Sequence, residues 1–250
     1  FLVTGSANGF NEIIERNLDR LMKRTADRPL PSGRMTTGQA LVLSLLMGII
    51  GTYTLVTLNF IAGLLSVFSI ILYAFVYTPI KQKSPIAVLV GAFPGALPPL
   101  IGYYAAFTQD GLAHYSQVNA PAIVIIPLIL FFIQFVWQFP HFWAIAWVLD
   151  DDYKRAGFRL LPTTKRDKIS AFVIFISTLM MIPVSLLPYY FGFGGMIVTL
   201  VSLAGALLFS WYGLQLLVKR NMDSARKVMF TSFFYLPLIQ LILLFDFIAI

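Results

Sequence analysis

Long apolar stretches alternate along the chain with connections that are either charged or nearly neutral. Each apolar stretch is close to the ~20 residues that an α-helix needs to cross the hydrocarbon core of a bilayer. The pattern therefore predicts membrane-spanning helices. We place them near residues 38–58, 60–80, 86–106, 121–149, 169–190, 194–218 and 228–250.

The ten residues from Phe1 to Phe10 look like the last turns of another span whose beginning lies outside the sequence. We expect an all-α, polytopic transmembrane helix bundle, with about seven or eight spans in this fragment. Residues 1–250 are expected to form a single transmembrane domain from which an amino-terminal span is missing.

The composition narrows the class of protein. Hydrophobic residues make up 58% of the chain and charged residues 12%, with a mean hydropathy of +0.81, whereas about a quarter of the residues in a soluble domain are charged. The chain is therefore predicted to be an integral membrane protein. It has no cysteine, which excludes disulfides, thiolate metal sites and thiol nucleophiles, and its two histidines are too few for a multi-histidine metal site.

Lysine and arginine are confined to every second connection. The positive-inside rule places these charged connections on the cytoplasmic side, or on the equivalent side in an organelle. The net charge of +7 is then a one-sided field at the membrane, and no nucleic-acid partner is expected. All 18 basic residues lie in the connections 11–36, 81–85, 150–168 and 219–227, whereas the connections at 59, 107–120 and 191–193 are nearly neutral.

The first charged connection opens with acids at helical spacing. A helix continued from the chain start would place Asn11, Glu15 and Asp19 at i, i+4 and i+8, so that three oxygen-bearing side chains share one face. The like charges of Glu15 and Asp19 would repel each other without a cation. Hard oxygen ligands suit Mg²⁺, which fills its other positions with phosphate oxygens and water. The alternative is a solvated amphipathic helix end with Glu–Arg pairs within the helix.

Basic residues lie close to these acids. Arg20, Arg24 and Arg28 are also four residues apart and can offer forked hydrogen bonds to phosphate oxygens. Lys81 adds a further cationic donor. The glycine and proline run at 91–99 predicts a broken helix in the following span, lining a cavity; close glycine-mediated helix packing is the alternative.

A second acidic cluster, Asp150, Asp151 and Asp152, returns to the same side of the membrane. Metal ions that bridge a diphosphate need carboxylates from separate segments, so two facing clusters suit that role. The neighbouring Tyr153 and Lys154 are assigned to substrate binding. Taken alone, three consecutive aspartates are equally typical of a helix cap and its neighbours.

The span at 121–149 carries a polar stripe, with Gln134, Gln138 and His141 at i, i+4 and i+7. Lipid exposure would penalise these side chains, so they are predicted to face the interior. Aromatic rings around them could stabilise a carbocation or stack on a flat acceptor. The alternatives are interface anchors and a histidine bonded only to a neighbouring helix. The aromatic residues are Trp137, Phe139, Phe142, Trp143 and Trp147.

The segments 11–35, 77–103 and 137–163 together resemble the UbiA superfamily of intramembrane prenyltransferases, and within it the heme O synthase branch. The acidic motif at 11–19 points only to the superfamily. The sequences M-K-R-T and R-P-L-P-S-G in 11–35, with P-H-F-W and D-Y-K-R-A-G in 137–163, point to the heme branch. The resemblance implies a UbiA-like fold with nine spans in the full-length protein.

The resemblance also assigns roles. It implies a catalytic metal site for Mg²⁺ formed by Asn11, Glu15, Asp19, Asp151 and Asp152, with Asn17 standing where another acid is common. It implies diphosphate contacts from Arg24, Arg28 and Lys81, and makes His141 the candidate for contacting heme, next to Trp137 and Gln138 as further substrate-binding residues.

The activity implied is transfer of the farnesyl group of farnesyl diphosphate to the 2-vinyl group of heme B, giving heme O for terminal oxidases. A heme A synthase is a further expected partner, beside the lipid bilayer. The expected location is the bacterial inner membrane, or the mitochondrial inner membrane in a eukaryote, with the active site on the cytoplasmic or matrix side.

Two other functions are compatible with parts of the pattern. A quinone-precursor or chlorin acceptor would keep both acidic clusters and change only the acceptor cavity. A non-enzymatic transporter of an anionic lipid or heme would predict charges at the midplane of discontinuous helices, whereas the charges here lie in the connections on one side.

Overall fold

The computed structural model describes residues 1–107, 111 and 121–248, and these are almost entirely helical, as predicted. A π-helical turn, Leu72–Tyr77, joins α3 to α4. The helices are α1 (Leu2–Asp19), α2 (Thr37–Leu58), α3 (Phe60–Ile71), α4 (Thr78–Ile80), α5 (Ala87–Ala105), α6 (Ala122–Val148), α7 (Asp150–Arg155), α8 (Lys168–Ser185), α9 (Leu187–Tyr190), α10 (Met196–Lys219) and α11 (Met222–Phe245).

Seven helical segments in the described part of the chain are long and apolar enough to cross a membrane. One of them, Phe60–Ile80, runs without a break through α3, the π-helical turn and α4. Much of their apolar surface is exposed. In α2 only 11% of the most apolar stretch is buried, as suits a helix that faces lipid. The chain is an integral membrane protein.

The contacts divide the chain into two compact units. Unit 1 comprises Phe1–His114 and Leu149–Leu160, and unit 2 comprises Tyr115–Val148 and Leu161–Ile250. Within unit 1, α1 packs on α2, α2 on α3 and α3 on α5. Within unit 2, α6 packs on α8 and α11, and α10 packs on the same two helices. The single-domain organisation stays a prediction.

Polar caps fix where several helices begin. The Thr36 hydroxyl accepts from the Gln39 backbone N–H, while the Gln39 side chain accepts from the Thr36 N–H, which forms a capping box at the start of α2. Asn59 caps α3 in the same role, and Asp167 caps α8. These caps satisfy backbone donors that have no partner within the helix.

Six predicted spans agree with the observed helices to within two residues. The last one begins at Met222 rather than at 228, because the Asn221 side chain accepts from the Ser224 N–H and starts the helix there. Arg226 and Lys227 therefore lie on the first turns of α11, not in a connection. The last helix also ends earlier than predicted, at Phe245 rather than at 250, with Asp246 as its C-cap. The neutral connection predicted at 107–120 lies almost wholly outside the described residues.

The predicted break at the glycine and proline run is wrong. α5 continues through Pro94, Pro98 and Pro99 as one helix, since neighbouring groups can satisfy the backbone that prolines leave free in membrane helices. The irregular backbone lies instead in the preceding span, in the π-helical turn. There the Tyr73 carbonyl accepts from both the N–H and the hydroxyl of Thr78.

Candidate active site

A row of polar side chains lies on the buried face of α1, in unit 1. Asn11, Glu15 and Asp19 are all buried, and α1 is continuous up to Asp19. The four-residue spacing therefore brings the three side chains onto one face, as predicted. Glu15 and Asp19 are only 2% and 1% exposed, so the alternative of a solvated helix end is wrong.

Cations from other segments neutralise these acids. Lys81 Nζ lies 2.5 Å from Glu15 Oε2, and an Arg28 guanidinium nitrogen lies 3.0 Å from Asp19 Oδ2. Arg28 also approaches Glu12 at 3.6 Å. Burial raises the pKa of Glu15 and lowers the pKa of Lys81, because desolvation disfavours the charged form of each group, and their mutual attraction opposes both shifts.

Aromatic rings enclose the Lys81 ammonium group. It lies 5.4 Å from the ring centroid of Tyr77 and 5.1 Å from that of Phe158, within the range of cation–π attraction. Tyr77 is buried against Gly91, where a Cβ atom would come within 2.7 Å of the ring. Gly91 thus makes room for the ring that flanks the lysine.

Asn11 is held by a hydrogen bond to a residue of α4. Its Nδ2 donates to Thr78 Oγ1 at 3.0 Å, and Thr78 is fully buried. The Thr78 hydroxyl in turn donates to the Tyr73 carbonyl at 2.9 Å. Because the Asn11 nitrogen is engaged as a donor, its Oδ1 is the atom suited to act as an acceptor or a metal ligand.

The second acidic cluster forms the first turn of α7. Asp150 is buried and pairs with Lys154 at 2.7 Å, and Asp152 pairs with Arg155 at 3.0 Å. Asp151 is exposed. The helix-end interpretation therefore accounts for part of this cluster, and Asp150, which lies outside the predicted set of metal ligands, is its most buried member.

The two acidic connections contact each other within unit 1. Met22 from the first connection forms a small buried core with Ala156 and Phe158 from the second. The guanidinium of Arg24 lies 6.0 Å from the ring centroid of Tyr153, and burial raises the pKa of that phenol. The two connections are therefore in contact, and a single site formed by both clusters stays a prediction.

Arg20 and Arg24 do not extend the row on α1. The helix ends at Asp19, so the four-residue spacing no longer places side chains on one face. Arg20 donates to the Pro31 carbonyl at 3.1 Å. Of the three arginines, Arg28 is the one with an ion pair to a carboxylate of α1 among the described residues.

Two buried oxygens in this region fit a metal ion. Glu15 Oε1 and Asp19 Oδ1 have no hydrogen-bond partner among the described residues. Buried carboxylate oxygens need a donor or a cation, and hard oxygens are the ligands that Mg²⁺ prefers. No three acidic, histidine or cysteine side chains in the described ranges already form a metal-binding group, so the complete ligand set stays a prediction.

The polar stripe of α6 lies in unit 2. Gln134 and Gln138 are buried, and Gln134 Oε1 accepts from Gln240 Nε2 at 3.0 Å. The predicted inward orientation of both glutamines is therefore confirmed. Trp147 is 1% exposed, so it is a core residue rather than an interface anchor.

His141 is held by one serine and two rings. Its Nδ1 lies 2.8 Å from Ser232 Oγ, and its ring stacks on Trp137 with centroids 4.2 Å apart. The Trp137 indole N–H donates to the Ser232 carbonyl at 3.0 Å. Phe233 packs edge-on against His141 at 5.3 Å. Imidazole and indole are thus anchored on the same turn of α11.

The Ser232 hydroxyl fixes the tautomer of His141. Its one proton is donated to the Met229 carbonyl at 2.5 Å, so its oxygen can only accept from the imidazole. Nδ1 then carries the proton and Nε2 keeps its lone pair. A neutral histidine of this kind can accept a proton or ligate a metal through Nε2.

Sequence reasoning missed the aromatic setting of the first site. Tyr77 and Lys81 are four residues apart, a spacing that predicts neighbouring positions on one side of a helical segment. Thr78 and Phe158 gave no comparable signal, because a single buried hydroxyl or ring has no recognisable spacing.

Comparison with known proteins identifies the family of the chain. The model of the UbiA prenyltransferase family matches residues 1–236. A Cytophaga hutchinsonii protein named protoheme IX farnesyltransferase is 47% identical over 98% of this chain and 82% of its own length. A Christiangramia forsetii protein of the same name is 41% identical over 98% of this chain and 79% of its own length.

A solved structure supports the same fold. It is described as "Structural and mechanistic insights into the biosynthesis of Digeranylgeranylglyceryl phosphate synthase in membranes". It matches with a TM-score of 0.75 at 20% identity, over 98% of this chain and 82% of its own. With the family match and the two relatives, it confirms the predicted fold class, and the chain belongs to the UbiA prenyltransferase family.

Proposed function

We propose that the chain transfers the farnesyl group of farnesyl diphosphate to the 2-vinyl group of heme B, giving heme O. The observation that carries this proposal is the buried acidic face of α1, with two unpartnered carboxylate oxygens beside Lys81 and Arg28. Relatives that match nearly the whole chain bear the name protoheme IX farnesyltransferase, which supports the choice of acceptor.

The α1 site would hold the diphosphate. Asn11, Glu15 and Asp19, with Asp151 and Asp152, would hold Mg²⁺, and Mg²⁺ when bound neutralises charge on the leaving oxygens. Lys81 and Arg28 pair with the carboxylates in the free protein. They become available to phosphate oxygens once those carboxylates have another cation. Arg24, Tyr153 and Lys154 lie in the two connections around the site and are proposed to contact the diphosphate as well.

An apolar cavity beside α1, open to the surroundings of the helices, suits the prenyl tail. It has a volume of about 480 Å³ and opens between α1, α2 and α3. Phe10, which directly precedes Asn11, lines it together with Ser6 and Tyr53. A volume of this size is within the range of small-molecule sites. The diphosphate and the tail would then occupy neighbouring parts of unit 1.

The reaction needs no protein nucleophile. The bond between farnesyl C1 and the diphosphate oxygen breaks, and the electron pair leaves with diphosphate. The terminal vinyl carbon of heme B supplies the electrons of the new carbon–carbon bond to C1. The cation left next to the porphyrin ring takes a hydroxyl from water, and one proton is released. An apolar cavity protects the allylic cation from earlier capture by water.

His141 would contact the acceptor. Its Nε2 lone pair, set by the Ser232 bond, suits either the heme iron or the proton released from water. Trp137, stacked on the imidazole, offers a flat apolar surface, and Gln138 is assigned to the same subsite.

The cellular setting follows from the same proposal. The positive-inside rule supports a location of the α1 site on the cytoplasmic side of a bacterial inner membrane, or on the matrix side in a mitochondrion. Heme O would then be supplied for the assembly of cytochrome oxidases, with a heme A synthase as the partner that consumes it.

A turnover assay tests the proposal. The protein in nanodiscs is given heme B, farnesyl diphosphate and Mg²⁺, and heme O is followed by mass spectrometry. We expect heme O with the native chain, and none with chelator or with Asp19→Asn or Asp152→Asn. The exposed Asp27→Asn variant is the matched control, because it removes an acid from the connection that follows Asp19.

Other outcomes assign other functions. Consumption of farnesyl diphosphate only with a quinone precursor or chlorin would keep the α1 site and overturn the role of His141. Ligand binding without diphosphate release would overturn the enzymatic proposal and favour a transporter.

A further inference from the structure

The groove between α10 and α11, in unit 2, has no role in the proposed reaction. It encloses about 360 Å³ and is lined almost entirely by apolar side chains. Four of these, Leu208, Phe230, Phe234 and Leu238, are exposed large hydrophobic residues that border the opening. The groove therefore opens toward the surroundings of the helices, which in a membrane protein are lipid acyl chains.

The groove is as long as one membrane leaflet is thick. Its lining residues on α11 run from Lys227 to Ile239, and on α10 from Tyr212 to Val201. Twelve residues of α-helix extend about 18 Å, and half of the hydrocarbon core of a bilayer is about 15 Å. An acyl chain that enters beside Lys227 would fill the groove without crossing the midplane of the bilayer by more than a few ångströms.

One end of the groove is strongly basic. We name as the basic corner the four residues Lys219, Arg220, Arg226 and Lys227, where α10 ends and α11 begins. Asp223 pairs with Arg226 at 3.7 Å. Lys227 lines the groove itself, and its ammonium lies 5.8 Å from the Tyr212 ring, which keeps it at the mouth.

A buried hydroxyl points to a ligand with polar atoms near that mouth. Tyr235 lines the groove and is 4% exposed, and its hydroxyl has no hydrogen-bond partner among the described residues. The ring is fixed by Phe209 and by Gly205, where a Cβ atom would approach it within 2.9 Å. Long side chains on a helix lean toward its N-terminus, here the basic end, and this tendency favours a hydroxyl on the side of the headgroup.

We propose that this groove binds one anionic phospholipid from the leaflet on the Lys227 side. One acyl chain would lie along the groove, the phosphate would contact Lys227, and a glycerol ester oxygen would accept from the Tyr235 hydroxyl. The basic corner disfavours a second copy of this chain as the occupant, because two such corners would repel each other at a symmetric interface.

The test measures lipid binding, not turnover. The protein in an uncharged detergent is titrated with phosphatidylglycerol or with phosphatidylcholine of the same acyl chains, and bound lipid is counted by native mass spectrometry. We expect one phosphatidylglycerol to bind at least fivefold more tightly than phosphatidylcholine. That factor corresponds to the attraction of about one basic residue for an anionic headgroup.

Variants separate the groove from general surface charge. Lys227→Gln should lower phosphatidylglycerol affinity about fivefold, and Leu208→Trp or Leu238→Trp should block the acyl chain and abolish the bound lipid. Arg226→Gln is the matched control, because it removes the same charge at the neighbouring position, which lies outside the groove. Equal losses in Lys227→Gln and Arg226→Gln, or unchanged binding in both tryptophan variants, would overturn the proposal.

Two further outcomes would replace the occupant. Loss of bound phosphatidylglycerol when inorganic phosphate alone is added would indicate a free-anion site and not a lipid site. A dimer that is broken by Leu208→Trp and unaffected by added lipid would assign the groove to a second copy of the chain.

Discussion

The Lys81 ammonium lies 2.5 Å from Glu15 Oε2, joining the end of the Phe60–Ile80 span to the end of α1. The lysine side chain is 12% exposed and the glutamate side chain 2%, so water screens the attraction little. In the free protein the Lys81 ammonium neutralises the charge of the buried Glu15 carboxylate. The same pair must open for Lys81 to contact a phosphate oxygen.

Lys81→Met should destabilise the protein by about 3 kcal/mol, since removing one partner leaves a buried charge uncompensated. Glu15→Gln combined with Lys81→Met should recover most of that loss, because both charges are then absent. Thermal unfolding in detergent measures both effects. Lys83→Met, at an exposed lysine two residues away, is the control and should unfold like the native chain. A stable Lys81→Met variant would show that the pair contributes little.

Mg²⁺ with inorganic pyrophosphate should stabilise the native chain against thermal unfolding, by about 2.7 kcal/mol at a hundredfold excess over the dissociation constant. Asp19→Asn should lose most of this stabilisation, because one of the two unpartnered buried oxygens is on Asp19. Asp27→Asn, whose side chain is 95% exposed, should keep it. Equal stabilisation of both variants would show that the metal does not bind at the acidic face of α1.

Heme B binding should depend on the Ser232 hydroxyl. Ser232→Ala removes the acceptor that fixes the His141 tautomer, and we expect heme affinity to fall about tenfold, in line with outer-shell partners of metal-ligating histidines. The heme absorbance spectrum in detergent gives both affinity and ligation. Ser177→Ala, which removes a buried serine with the same bond to the carbonyl three residues earlier, is the control. Identical spectra for Ser232→Ala, His141→Phe and the native chain would remove His141 from the acceptor site.

Asp167 should make stability depend on pH. The Ser170 backbone N–H and the Thr163 hydroxyl donate to its carboxylate and hold its pKa below the ordinary value of 3.8. The folded state therefore keeps the charge to a lower pH than the unfolded state does. The resulting stability is present above pH 3.8 and is lost as the pH falls through the folded-state value.

The measurement compares Asp167→Asn with the native chain in thermal unfolding across that pH range. The native chain should be more stable at neutral pH, and the difference should shrink below pH 3.8. Asp223→Asn, at an exposed acid in the first turn of α11, should show a smaller difference at every pH. A difference for Asp167→Asn that does not change with pH would contradict this account.

The spans could be predicted from the sequence because each is set by the thickness of a bilayer. The charge pattern predicts too late a start for α11, because Arg226 and Lys227 are typical of a connection between spans. The Asn221 cap, followed by an acid in the first turn, was the better signal. Charge indicates where a helix meets the interface, whereas a cap indicates where the helix begins.

The candidate site was predictable in part. Helical spacing alone placed Asn11, Glu15 and Asp19 on one face. Lys81 was predicted to lie beside these acids, but its pairing with Glu15 was not predictable, because the two residues are distant in sequence and a lysine next to a span also has an explanation in membrane orientation. The fixed tautomer of His141 was equally hidden, since it depends on a hydroxyl 91 residues away.

The π-helical turn at Leu72–Tyr77 acts as a register shift between the two ends of one span. A single added residue rotates everything after it by about 100° around the helix axis, the angle of one residue in an α-helix. Deletion of the exposed Phe75 would restore an ordinary helix and turn Thr78 and Lys81 away from Asn11 and Glu15. The length of this segment, and not only its chemistry, is therefore constrained: a one-residue deletion that leaves every charged side chain in place would still separate the acids from their cation.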